Sequence, residues 1–190
     1  MLKAIFGDQN PHLQPGKVYL WTNSIRDGRA IFLNSLNREI IVKTLRKFVW
    51  QAEINVYAFV IMPNHVHLVW EVMAEDDNIS ESFRRETTSQ IIENLKVCFP
   101  ESVKSYHLKR GINNYNIWRK RPKLAELNSN QQIKEAISYI HENPVFDRWG
   151  IVKSIAAFKW SSAKFYESGN DTFGFLSHYQ GYEEKLRGMV

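Results

Sequence analysis

Two histidines one residue apart, His65 and His67, are the first side chains in this sequence that could do chemistry together. On a β-strand successive side chains alternate between faces, so the two imidazoles stand side by side and Val66 turns the other way. Neutral imidazoles at that spacing can share one divalent ion. The pair has no His-x-His-x-Asp-His extension, which disfavours a two-metal hydrolase of that kind. A second pair is Tyr139 and Asn143, four residues apart and therefore neighbours on a helix. They lie just beside the apolar stripe Ile133, Ala136, Ile137 and Ile140. A tyrosine at the edge of a core helix is usually structural. Here it accompanies an amide, a histidine pair and a basic segment, and together they fit one chemistry. That segment, Lys104 to Lys123, holds seven cations and no carboxylate, with Tyr106, Tyr115 and Trp118 interleaved. Cations among aromatic rings are expected where phosphates are neutralised and bases stack.

The elements that must position these groups can be read from periodicity. Lys17 to Asn23 has the β-branched and aromatic content of a first strand, and Asp27-Gly28 is a turn signal. Arg38 to Ala52 carries apolar residues at helical spacing. Asn55 to Met62 is apolar on both faces, as a central strand should be. Pro63-Asn64 then leads into a strand over His65 to Val72, so the two strands run antiparallel. Val66, Leu68, Trp70 and Val72 supply the core face of the second. Asn78 to Phe99 predicts a long helix, with Asn78 and Glu81 at its start. The basic segment reads as irregular. Gln131 to Glu142 predicts a helix stopped by Asn143-Pro144, since proline disfavours helical geometry in its predecessor. The region after Phe146 has short apolar clusters that assign to no element. The expected fold class is α+β, an antiparallel sheet with helices packed on one face.

The totals agree with one domain over residues 1–190. The 190 residues include 44% hydrophobic side chains, enough for a sizeable core. Cys98 is the only cysteine, so no internal disulfide and no cysteine-based zinc cluster can form within the chain. No signal-like start and no membrane-length apolar run is present, so the expectation is a soluble, cytoplasmic protein. The net charge of +5 is concentrated in the basic segment, which alone exceeds it.

Tyr57-Ala58-Phe59-Val60-Ile61-Met62-Pro63-Asn64-His65-Val66-His67-Leu68 resembles the histidine motif of the smallest single-strand transposases, the HUH class with one catalytic tyrosine. Tyr139-Ile140-His141-Glu142-Asn143-Pro144-Val145 resembles the tyrosine motif of the same family, in the form seen in REP-associated tyrosine transposases. Trp160-Ser161-Ser162-Ala163 resembles a further signature downstream. Less specifically, residues from Thr22 to Phe32 and Trp118-Arg119 match the family. The likeness runs from about Lys17 to Tyr166, and the tail 167–190 stays unassigned. The segment after Trp118 departs from the family's usual polar pattern.

The resemblance implies a ferredoxin-like HUH endonuclease fold and a Mg²⁺ or Mn²⁺ cofactor held by His65 and His67, with Asn143 as third ligand. It implies Tyr139 as the nucleophile and single-stranded or hairpin DNA as the partner. A phenol with an ordinary pKa of about 10 needs a cation or base to activate it. The cations expected to meet DNA are Arg84, Arg85, Lys109, Arg110, Arg119, Lys120, Arg121 and Lys123, with Trp118 as a stacking surface. A homodimer is compatible with this reading, and Tyr139 could serve its own chain or a partner. Two alternatives stand beside it: a domesticated, non-cleaving hairpin-binding protein, and a metal-dependent phosphoesterase.

Overall fold

Nearly continuous apolar runs and one tight turn, at Pro63-Asn64, build a sheet whose middle strands are buried on both faces. The computed structural model describes residues 12–75, 78–108, 114–146 and 150–182. Strand β1 (Val18–Ser24) is followed by helix α1 (Ser35–Trp50), then β2 (Ile54–Met62) and β3 (His65–Val72). Helix α2 (Ile79–Cys98), the single turn α3 (Pro100–Val103), β4 (Lys123–Glu126), α4 (Asn130–Phe146) and the short α5 (Ala163–Ser168) complete the order. The strands lie in the order β2-β3-β1-β4, every neighbouring pair antiparallel. This is two split β-α-β units, the ferredoxin-like arrangement. The α+β class and the antiparallel sheet are as expected.

Helices on one face describes α1 and α2. Tyr19, Trp21, Leu68 and Trp70 share the face on which the Phe83 ring of α2 lies, 5.7 Å from Trp21 and 6.0 Å from Trp70. Phe48 of α1 closes the same cluster, 6.1 Å from Phe83. Helix α4 lies on the opposite face, with Tyr139 against His67. The physical reason is that Leu20, Ala58, Val60 and Val69 are also fully buried, so the second face is apolar and needs a cover of its own.

Two further differences concern elements. Lys123–Glu126 forms an edge strand on β1, starting at the last residue of the segment expected to be irregular and continuing through residues that had no assigned element. Helix α4 continues through Pro144 to Phe146. Proline has no N–H to give the Ile140 carbonyl, and the Asn143 amide substitutes: Nδ2 donates to Tyr139 O at 2.8 Å and Ile140 O at 3.4 Å.

The segments on either side of α5 cover the outer edge of β2. Ile61 N–H donates to Trp160 O (2.9 Å), Ser162 N–H to Phe59 O (3.0 Å) and Ser177 N–H to Val56 O (3.0 Å). Phe173 and Phe175 pack on Phe59 at 4.8 and 5.9 Å, and the Arg46 guanidinium holds Phe173 O at 3.1 and 2.7 Å. Among the described residues, no helix is long and apolar enough to cross a membrane.

Candidate functional site

The histidines sit at the start of β3, immediately after the turn from β2. Their ring centroids are 4.8 Å apart. His67 is 3% exposed, and its Nδ1 lies 2.6 Å from Thr22 Oγ1, its direct neighbour across the β1–β3 ladder. Among the described residues its buried Nε2 makes no close hydrogen bond, and the Asn143 amide is near enough to act on the ring. A buried polar atom without a close partner calls for an explanation, and on a histidine beside a second histidine a bound cation is one that fits. Burial, first of all, holds the His67 pKa well below the usual imidazole range; the nearby His65 and Lys123 act in the same sense, while the Asn143 amide opposes them. The ring is therefore neutral at pH 7, the form that ligates cations.

His65 is half-buried and is oriented by a second relay. Gly28 takes a positive φ of 68° in the turn after β1, and its carbonyl accepts from Asn64 Nδ2 at 3.2 Å. That bond fixes the Asn64 amide, so Oδ1 faces His65 Nδ1 at 2.8 Å. An amide oxygen can only accept, so Nδ1 carries the proton and Nε2 keeps its lone pair. Thr22 and Asn64 thus orient the two rings as outer partners orient ligating histidines elsewhere. The sequence reading gave neither of them a role; the available signals were Asn64 directly before His65 and a threonine in the otherwise apolar start of β1.

Tyr139 meets this pair from the other side, its half-buried ring 5.6 Å from that of His67 and nearly perpendicular to it. Asn143 lies one turn further along α4. Because its Nδ2 is engaged by the helix carbonyls, Oδ1 is the atom left to face the histidines. Helix α4 is anchored by His141, whose Nε2 is 2.7 Å from Ser162 Oγ; that hydroxyl also accepts the Phe59 N–H at 2.9 Å. Burial lowers the His141 pKa to about 4, which keeps this ring neutral too. The Trp160-Ser161-Ser162-Ala163 stretch is therefore a latch that fixes the tyrosine helix to the edge of β2.

The basic segment is placed differently from the expectation. Arg119, Lys120, Arg121 and Lys123 are exposed. Arg119 N–H donates to Ser24 O at 2.8 Å, and Ser24 pairs with His65, so these cations begin beside the histidines. Lys109 and Arg110 lie outside the described residues. Trp118 is a correction: it is fully buried, its indole donates to Thr87 Oγ1 at 3.0 Å and its ring packs against Trp21 and Phe32. A core ring cannot stack on a base. Tyr106 is buried in the same way, which leaves Tyr115 as the partly exposed ring of the segment. Arg84 is a second correction, since its buried guanidinium pairs with Glu81 and donates to Arg119 O at 3.0 Å. It shapes the basic segment from beneath, while Arg85 is exposed.

A βαββαβ sheet that sets paired histidines under a helix-borne tyrosine is the arrangement that the two motifs associate with single-tyrosine transposases. The comparisons agree: the chain is similar to REP-associated tyrosine transposases. One from Escherichia coli (strain K12) is 25% identical over 150 residues, spanning 77% of this chain and 76% of that one. A solved REP-associated tyrosine transposase, bound to a REP hairpin, superposes with a TM-score of 0.61 at 21% identity, covering 90% of this chain and 92% of that chain. At that identity the structural likeness bears on the fold. No family model matches the chain.

Proposed function

We propose that this protein is a DNA transposase that cuts and rejoins single-stranded, hairpin-containing DNA through Tyr139. The observation that carries this reading is the convergence of Tyr139 on the paired rings of His65 and His67, with His67 buried and its Nε2 making no close hydrogen bond among the described residues. The similarity to a REP-associated tyrosine transposase supports it, and the hairpin held by the solved relative points to the substrate class.

The residues present fit a divalent cation. Among the described residues no three His, Cys, Asp or Glu side chains come together, so two imidazoles and the Asn143 amide oxygen form the donor set. Mixed nitrogen and oxygen donors suit Mn²⁺ somewhat better than Mg²⁺. The bound cation would polarise and orient the scissile phosphate as a Lewis acid. Thr22 and Asn64 hold the two rings in place, and the latch through His141 holds the nucleophile.

In the step itself Tyr139 Oη forms a bond to phosphorus as the bond from phosphorus to the 3′ oxygen breaks. The phenol proton passes to solvent, and the leaving 3′ oxygen takes up a proton from solvent. One strand then ends in a free 3′-hydroxyl, and the other is joined to the protein as a 5′-phosphotyrosine. The phosphodiester bond energy is retained, so attack by another 3′-hydroxyl reverses the step and rejoins DNA.

The test is to incubate the protein with end-labelled hairpin DNA from the flanks of its gene and Mn²⁺, then to look for a denaturant-resistant adduct on a gel. Wild type should form it and Tyr139→Phe should not. Cleavage that persists in Tyr139→Phe favours a metal-dependent phosphoesterase. Tight binding with neither cleavage nor adduct indicates the non-cleaving hairpin binder.

A further inference from the structure

One row of side chains crosses the whole sheet at the level of the histidines. The register pairs Val60 with His67, His67 with Thr22 and Thr22 with Lys123. Directly paired residues on neighbouring strands project to the same face, so these four stand in line on the face that α4 packs against. Burial falls along the line: Val60 and His67 are buried, Thr22 is half-buried and Lys123 is exposed. The row thus begins under the tyrosine helix and ends in solvent, at the edge strand.

Neighbouring strands lie about 4.8 Å apart, which puts the Lys123 backbone about 10 Å from that of His67. A four-carbon stem can carry an ammonium back across Thr22 toward the space between His67 and Tyr139. Arg119, Lys120 and Arg121 belong to the irregular segment before β4 and have no place in the paired row. A compact cation opening onto solvent beside a nucleophile is suited to one ligand chemistry, a phosphate oxygen.

We propose that Lys123 is the phosphate-holding residue of this site, its ammonium bonding a non-bridging oxygen of the phosphate that Tyr139 attacks, on the side away from the histidines. The proposal rests on the reading of Tyr139 as nucleophile. The phosphate enters from the β4 edge, over Thr22, and Lys123 neutralises charge that grows on its oxygens as the tyrosine bond forms.

Two measurements test it. In single-turnover reactions at saturating hairpin DNA, Lys123→Ala should slow adduct formation by about 10²-fold, and Lys123→Arg should recover it to within about tenfold. In a Tyr139→Phe background, where nothing is cut, a neutral methylphosphonate at the scissile position should weaken binding when Lys123 is present. It should have no effect in Lys123→Ala, because the two changes remove the same contact. Coupling that maps to a different phosphate overturns the proposal. Adduct formation at full rate in Lys123→Ala overturns it alone, whereas a wild type that forms no adduct overturns the nucleophile reading as well.

Discussion

The two edges of the sheet are finished in opposite ways. At β2 the edge is sealed: the Trp160-to-Ser162 stretch and residue Ser177 bond its backbone, and Phe173 and Phe175 cover Phe59. At β4 the edge is a four-residue strand that begins with exposed Lys123 and follows exposed cations. Sealing an edge removes a row of unpaired backbone groups that would otherwise recruit other chains, and a short, charged strand is the other way to blunt it. Here only the second way leaves the histidine face open from one side. The sealed edge secures the helix that carries Tyr139, and the open edge is the side from which the proposed phosphate would enter.

This contrast predicts that changes at the two edges separate chemistry from stability. The largest effect should come from His65→Ala, on the histidine face that the open edge leaves accessible. Adduct formation should fall by at least about 10²-fold in Mn²⁺, while chemical denaturation shifts by no more than about 1 kcal/mol, because the ring is half-buried. A large loss of stability in that variant would break the separation. At the sealed edge, Phe175→Ala should cost about 3 kcal/mol in urea unfolding. Any protein that remains folded should keep its rate of adduct formation.

A smaller effect sharpens the role of the latch. The His141 pKa is lowered to about 4, so the folded protein resists protonation at a pH where the unfolded chain accepts it. The stability from burying the neutral ring is complete above about pH 6.5 and lost as the pH falls toward 4, roughly 3 kcal/mol at most. Melting temperature followed from pH 7 to 4 should therefore drop more steeply in wild type than in His141→Gln. Parallel curves would remove His141 from the latch.

What was legible in the sequence was local. The alternation around His65 and His67 announces a strand with one imidazole face, and the stripe from Ile133 to Ile140 announces the helix beneath Tyr139. What escaped depends on distant partners. Trp118 and Tyr106 look like stacking rings beside cations, yet they complete the core under α2. Arg84 looks like a DNA contact until the Arg119 carbonyl is placed over it. Strand β4 has two buried side chains in four residues, too few for periodicity to register, and it exists because β1 offers a free edge. The tail assigns to nothing alone because its contacts are with Phe59, Val56 and Arg46, more than a hundred residues earlier.

Pro144 carries a consequence for charge. By removing a backbone donor it obliges residue 143 to supply one from its side chain, and Asn143 does so with Nδ2. Aspartate could not make that bond, since a carboxylate only accepts. The oxygen that Asn143 leaves for the histidines is therefore uncharged, and so is the His67 imidazole. A divalent cation seated among them would keep its full double charge for the incoming phosphate. In this way a single imino acid in the helix sets the electrical balance of the centre beside it.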